Sequence, residues 1–460
     1  MYYNKKKVRQ LTTETLLKKF GCKPEEVVKL KTKNGEFEGT IIPTESKTAL
    51  TLKLKNGYNV GIGIGEIVAM EKLNEHKKLG KPKAKELAFN PALPTISILQ
   101  IGGTISSRVN YKTGIVETSF DPKDLITMYP ELEQTANFNS KLVGQMYSED
   151  MRFDHYPIIA KAIEEEIKKG GIRGIILPHG TDTMGFTAAA LSFMLENPPI
   201  PIILVGSQRS TDRGSSDAAL NLLSAAEFIT KTDFTGIGIC MHESSEDKNC
   251  VILPATKTRK LHTSRRDAFK AVNETPIARI NHATKEITFL KKSHQKFDAA
   301  KKFLATTKME PKVAIIKCHP NMFPEQFDFY RKQKYKGLVI EGTGLGQAPI
   351  GVPNKEAKMN EKNFLAIQKL VKSGCIAVMA SQCIFGAVQM NVYNNAISLK
   401  KIGVIPGKDM LPETAFIKLA WLLGNYPKEK AAEMMQQNLR GEINERTQMN
   451  NFNLSGLEQK

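Results

Sequence analysis

The chain has 460 residues, 41% of them hydrophobic and 25% charged, with a formal net charge of +19. That length exceeds one ordinary core and calls for two or three domains. No apolar run approaches the roughly 18–20 residues needed to span a bilayer, so membrane embedding is not expected. The opening MYYNKKKVRQLTTETL has lysines but no apolar stretch of the secretory kind, so the cytoplasm is the expected compartment.

Residues 1–90 hold 19 Lys/Arg against 10 Asp/Glu. A basic excess attracts polyanions such as RNA, but solvated lysine-rich faces produce the same numbers. This first segment predicts β-structure. Glu26–Thr32, Glu36–Ile42, Ala49–Leu54 and Tyr58–Ile64 are strand-like runs, and Asn34-Gly35 and Asn56-Gly57 separate them in pairs. Asn-Gly between alternating runs is a strong hairpin signal because both residues tolerate positive φ. Residues 1–74 therefore read as a small β-rich, barrel-like domain, closed or half-closed, and residues 75–94 as a lysine- and proline-containing linker.

From Thr95 the pattern changes to short apolar runs, each followed by small polar residues and then a helical period. Ile96–Ile101 leads into Gly102-Gly103-Thr104, Gly174–Pro178 into His179-Gly180-Thr181-Asp182-Thr183, and Ile202–Val205 into Gly206-Ser207-Gln208. Runs without alternation fit strands buried on both faces of a parallel sheet. Helices are predicted over Met184–Glu196 and Asp217–Phe228, which makes the architecture α/β. A second α/β unit follows a polar boundary near Lys292–Pro311, with strands at Val313–Cys318, Gly337–Ile340 and Ile376–Met379. The expected units are residues 95–300 and 311–435, with a polar tail over 436–460. Ligands of open α/β sheets bind beyond the carboxyl ends of strands, where these Thr-, Asp- and Ser-bearing loops lie.

The six cysteines, Cys22, Cys240, Cys250, Cys318, Cys375 and Cys383, are scattered without a CxxC pair. They read as free thiols, and no metal site is expected: His242 near Cys240 and His319 beside Cys318 lack zinc-site spacing.

Two loops carry the chemistry. In Gly102-Gly103-Thr104-Ile105 a hydroxyl follows two residues without side chains, which lets a substrate approach the backbone. In His179-Gly180-Thr181-Asp182-Thr183-Met184 the loop opens a helix. There a polar side chain can cap the helix, or the backbone N–H groups can receive a carboxylate or a developing oxyanion. A threonine hydroxyl needs a base to attack at neutral pH, and a lysine relieved of its proton by burial can serve.

Taken together, strand–GGTI, strand–HGTDTM, Gly206-Ser207-Gln208-Arg209, Lys260-Leu261-His262-Thr263, Tyr111 and Tyr147-Ser148-Glu149-Asp150-Met151 resemble the L-asparaginase/glutaminase family from about Thr95 to beyond Ala415. The resemblance implies two asparaginase-type α/β domains. It implies that Thr104 attacks the amide carbon or assists that attack, supported by Tyr111, and that Thr181, Asp182 and Lys260 form the second catalytic group. It places Gly103, Ser148, Glu149 and Asp182 at the substrate, with Ser148 and Asp182 holding its α-carboxylate and α-amino ends. Family enzymes often carry glutamine where this chain has Glu149. His179 is left a structural role.

The β-rich module ahead of this core, with Lys53-Leu54-Lys55-Asn56-Gly57-Tyr58-Asn59-Val60-Gly61-Ile62, Glu341-Gly342-Thr343-Gly344-Leu345-Gly346 and Asp409-Met410-Leu411-Pro412-Glu413-Thr414, resembles the D subunit of the archaeal glutamyl-tRNA(Gln) amidotransferase. That resemblance implies glutamine as ammonia donor, a D-subunit homodimer core and a separate E subunit. The E subunit would bind the tRNA and activate Glu-tRNA(Gln) with ATP and Mg²⁺. This chain has no Walker A motif, so no cofactor is expected in it. A free asparaginase and a non-catalytic ligand- or RNA-binding protein on the same scaffold are the alternatives. The β-rich module argues against the first, and the intact threonine, aspartate and lysine against the second.

Overall fold

A computed structural model of the chain describes residues 12–33, 35–43, 46–54, 59–73, 89–102, 107–109, 116–118, 130–209 and 216–446. Thr104, Gly103, Tyr111 and the Asn56-Gly57 turn lie outside the described residues.

The first unit opens with a helix, Thr13–Lys19, whose start is fixed by a reciprocal pair: Thr15 donates its backbone N–H to the Thr12 side chain, and the Thr12 backbone N–H donates to that of Thr15. Strands Val27–Thr32, Gly35–Ile42, Ala49–Leu54, Asn59–Gly63 and Ile67–Lys72 form a five-stranded sheet. The first pairs antiparallel with both the second and the last. Among the described residues the outer strands, Asn59–Gly63 and Ile67–Lys72, are not paired with each other, so the β-rich unit is an antiparallel sheet without full closure. Val28, Leu30, Leu50 and Leu52 bury one face, as period-two alternation requires.

The second unit is built on an eight-stranded sheet. Five strands are parallel and lie side by side in the order Asn137–Met146, Thr95–Gly102, Gly174–Pro178, Pro201–Val205 and Gly236–His242. Gly174–Pro178 and Pro201–Val205 are buried at every position, which explains their unbroken apolar sequence. The sheet then continues antiparallel through Asn249–Pro254, Ala278–Asn281 and Ile287–Phe289, an extension beyond the purely parallel sheet that the apolar runs predict. Short connections make this change of direction possible: six residues join Gly236–His242 to Asn249–Pro254, too few for a parallel crossover. Chain order and sheet order diverge between Thr95–Gly102 and Gly174–Pro178, since Asn137–Met146 has gone to the far side of the first strand. At such a switch point the loops part and leave a crevice. Thr181 follows the second of these strands, and Thr104 comes two residues after the first in sequence.

The third unit has a four-stranded parallel sheet, Val313–Lys317, Gly337–Gly342, Ile376–Ser381 and Ile405–Pro406, in sequence order. Helices Met184–Met194 and Pro412–Asn425 lie between the two larger sheets and join the units into one core. Phe193 stacks on Trp421 with ring centroids 5.6 Å apart, and the Trp421 indole N–H donates to the Thr306 carbonyl at 2.7 Å. Both helices bury residues all round rather than on one stripe, as their position demands.

The segment from residue 436, polar in sequence, is tied into this core as far as residue 444. Glu442 is fully buried and pairs with the fully buried Lys418 at 2.5 Å. Lys418 also donates to the Met435 and Gln437 carbonyls, and Glu442 accepts the Leu439 and Arg440 amides. Residues 447–460 lie outside the described residues. Among the described residues no helix is long and apolar enough to cross a membrane.

Candidate active site

Thr181 follows the strand Gly174–Pro178 and is almost wholly buried, while the next residue, Asp182, turns outward with its side chain 61% exposed. Lys260 reaches both. It ends the short strand Thr258–Lys260, which pairs antiparallel with Phe269–Ala271. Its Nζ lies 2.9 Å from Thr181 Oγ1 and 2.8 Å from Asp182 Oδ1, although nearly eighty residues separate the two loops. The Lys260 side chain is 16% exposed, so this ion pair sits at the mouth of the site rather than in bulk water.

Ser148 stands behind this group. Its Oγ accepts the Asp182 backbone N–H at 3.2 Å, and its carbonyl accepts the Thr183 hydroxyl at 2.5 Å. Thr183 thus ties the loop to Ser148 and makes no side-chain cap on the helix Met184–Met194. Glycine is required at two places here. A Cβ on Gly180 would lie 2.6 Å from Ser148 Cβ, and one on Gly206 would lie 2.7 Å from Thr181 Cγ2. Glu149 is exposed, one residue beyond Ser148. Of the expected site residues, the structure gathers Thr181, Asp182, Lys260 and Ser148. Strands Ser107–Val109 and Val116–Thr118 form a small hairpin after the Thr104 loop.

His179 is buried beneath the site. Its ring contacts the Gly180 carbonyl through Nδ1 at 2.6 Å and the Thr187 hydroxyl through Nε2 at 2.9 Å. A neutral ring donating from Nδ1 and accepting at Nε2 satisfies both. Burial disfavours the imidazolium and holds the His179 pKa at about 4, against an ordinary 6.5. The folded state therefore binds fewer protons than the unfolded chain between these values. The stability His179 provides is full near neutrality and is lost as pH falls from 6.5 towards 4. The loss is on the order of 3 kcal/mol. Urea unfolding of wild type and His179→Asn across this range should show a steeper acid loss for wild type; parallel curves would contradict the buried neutral ring.

A supporting network was not evident from sequence. Asp217, fully buried at the start of the helix Ala218–Lys231, does not cap that helix. Its carboxylate turns back to accept the amides of Gln208 at 3.0 Å and Arg209 at 3.2 Å. Burial raises the Asp217 pKa, and the Gln208 amide chiefly opposes the rise. Asn221 donates to Asp217 and to the Gly206 carbonyl, and its oxygen accepts from His242 Nδ1 at 2.7 Å. This holds Gly206 against Thr181. The one available signal was an aspartate ahead of a helix, which ordinarily reads as a cap.

All six cysteines are free, five of them buried and Cys383 exposed. Among the described residues no group of three or more His, Cys, Asp or Glu side chains gathers to hold a metal ion.

Three family models match this chain: "GatD N-terminal domain" over residues 22–73, "Asparaginase, N-terminal" over 95–295 and "Glutaminase/Asparaginase C-terminal domain" over 312–435. The D subunit of the glutamyl-tRNA(Gln) amidotransferase of Methanococcus maripaludis is 45% identical over 421 residues, covering 91% of this chain and 97% of that protein. The protein of the same name from Pyrococcus furiosus is 41% identical over 458 residues, covering 96% and 100%. Among solved structures, the thermostable L-asparaginase from Thermococcus kodakarensis aligns with a TM-score of 0.65 at 26% identity, covering 76% of this chain and 99% of that one. L-asparaginase I from Vibrio cholerae aligns with a TM-score of 0.66, also at 26% identity and with the same coverage.

Proposed function

The chain belongs to the D-subunit family of glutamyl-tRNA(Gln) amidotransferases, and from that premise we propose that it hydrolyses the side-chain amide of glutamine and supplies the ammonia that converts Glu-tRNA(Gln) to Gln-tRNA(Gln). The observation that carries the chemical reading is the double contact of Lys260 Nζ with Thr181 Oγ1 and Asp182 Oδ1. It puts an amine that can pass a proton within reach of a buried hydroxyl, beside a carboxylate open to the substrate side.

In this reading Thr104 Oγ attacks the amide carbon and gives up its proton, and the C–N bond breaks as the leaving nitrogen gains a proton and departs as ammonia. Water then cleaves the acyl-threonine ester, releasing glutamate and restoring the hydroxyl. Tyr111 supports Thr104. The Thr181–Lys260–Asp182 group moves protons in one or both steps, and Asp182 also holds the α-ammonium of glutamine, a cation that its exposed carboxylate suits. Ser148 holds the α-carboxylate. Glu149 stands at the substrate's amino-acid end, where it adds negative charge.

The chain acts in the cytoplasm as a D-subunit homodimer core with an E subunit. That partner binds the tRNA and activates the glutamyl ester with ATP and Mg²⁺. This chain needs no cofactor of its own. Ammonia made before the acceptor is ready is lost to solvent, so hydrolysis is coupled to the partner. The loaded partner favours the hydrolysis-competent state of this chain by binding it more tightly. The isolated chain is expected to release ammonia from glutamine slowly, and the E subunit with Glu-tRNA(Gln) to raise the rate at least about tenfold, some 1.4 kcal/mol. Ammonia release with and without those additions checks this. A fast isolated enzyme that prefers asparagine and ignores both additions would make it a free asparaginase.

A further inference from the structure

Lys260 lies on a hairpin that the third unit holds in place. The segment Asp409-Met410-Leu411-Pro412-Glu413-Thr414 precedes and opens the helix Pro412–Asn425. It meets the segment that leads into Lys260 at three points. The Thr414 hydroxyl donates to the Thr256 carbonyl at 2.8 Å. Lys257 Nζ lies 2.6 Å from Asp409 Oδ2 and 2.9 Å from the Asp409 carbonyl, with both side chains buried. Arg259 Nη2 pairs with Glu413 Oε1 at 3.1 Å. Asp409 is itself fixed, its Oδ1 accepting the Asn444 amide and its carbonyl the Asn273 side chain. The hairpin closes on itself through Leu261 N–H to the Ala268 carbonyl and Val272 N–H to the Lys257 carbonyl, both at 2.7 Å.

We propose that Lys257, Arg259, Asp409 and Glu413 are positioning residues for the amide-hydrolysis reaction: they register the Lys260 hairpin against the third unit so that Nζ meets Thr181 and Asp182. None of the four side chains hydrogen-bonds or ion-pairs with the side chains of Thr181, Asp182 or Lys260. The three anchors fall at positions 256, 257 and 259, immediately before Lys260. Displacement of the hairpin root moves Nζ by a comparable amount, and a shift of about 1 Å in such a group can cost on the order of 10²-fold in rate. Burial pushes the Lys257 pKa down and Asp409 opposes it, so the ammonium at this root depends on that partner. The inference rests on the reading of Lys260 as a catalytic group.

The test compares full-length wild type with Arg259→Met, Glu413→Gln, Asp409→Asn and the charge-swapped double variant Arg259→Glu/Glu413→Arg. Asp328→Asn is the control, breaking an ion pair of similar exposure with Arg331 on the helix Glu325–Lys332 of the third unit. For the two single variants at the partly exposed pair, kcat for ammonia release from glutamine is expected to fall at least about tenfold with KM within about twofold. The swap should regain most of the loss, and the control should keep its kcat. Amide exchange over residues 258–271 should quicken in Glu413→Gln and Asp409→Asn but not in Asp328→Asn. Folded Arg259→Met and Glu413→Gln variants with wild-type kcat and unchanged exchange would overturn the proposal. So would a kcat loss matched by the control or not restored by the swap. Should wild type release no ammonia from glutamine even with its partner and charged tRNA, the functional reading fails, and the exchange measurement alone decides the positioning role.

Discussion

Replacing Thr181 with alanine is expected to lower ammonia release from glutamine by about 10³-fold or more while the protein stays folded, and Thr104→Ala should do the same. At Thr181 the change removes the hydroxyl that Lys260 contacts and leaves its nitrogen bound to Asp182 alone of the pair. The methyl group that packs beside Gly206 is also lost, but alanine fills most of the remaining volume, so the fold should tolerate it. At Thr104 the acyl acceptor itself disappears. Groups that act as a unit give losses that do not add, so the double variant should be little worse than either single one. Ammonia assays beside circular dichroism and thermal melting separate chemistry from unfolding. Two folded single variants with wild-type rates would remove both threonines from the mechanism.

The largest stability effect is expected at Glu442→Leu. Lys418 and Glu442 are both fully buried, and Lys418 would be left with the Met435 and Gln437 carbonyls but no counter-charge. Breaking a buried pair by removing one partner costs about 3–5 kcal/mol. The Leu439 and Arg440 amides would lose their acceptor as well. Burial already pushes the Lys418 pKa down and Glu442 opposes that, so the variant lysine is expected to lose its proton and leave stability more dependent on pH. A fall of the urea midpoint that grows as pH drops from 10.5 towards the depressed Lys418 pKa checks this. An unfolding free energy within about 0.5 kcal/mol of wild type would mean the pair is not buried as described.

The sequence made the α/β frame readable because strands buried on both faces need uninterrupted apolar runs, and Gly174–Pro178 and Pro201–Val205 have them. It also placed the polar loops at the carboxyl ends of those strands. The antiparallel continuation was harder, since Asn249–Pro254 is an apolar run like its parallel neighbours and only the short connections fix its direction. The helix Thr13–Lys19 is one of the shortest in the chain, and its start signal is a pair of threonines in a polar stretch. The sharpest ambiguity lies in Thr256-Lys257-Thr258-Arg259-Lys260. Two lysines stand three residues apart, and neither composition nor spacing says which meets a threonine and which is buried against Asp409. Family resemblance singled out Lys260. The environment of Lys257 comes from residues more than 150 positions away, which no local pattern reports.

The buried pairs also put the molecule's completion on the clock of translation. Lys257 waits for Asp409, made 152 residues later, and Asp409 in turn for Asn444; Lys418 waits for Glu442. Domains form in the order they leave the ribosome, yet here the middle of the polypeptide leaves it with a cation whose partner does not yet exist. A nascent chain stalled before residue 409 carries Thr104, Thr181 and the lysine hairpin without the charges that anchor that hairpin.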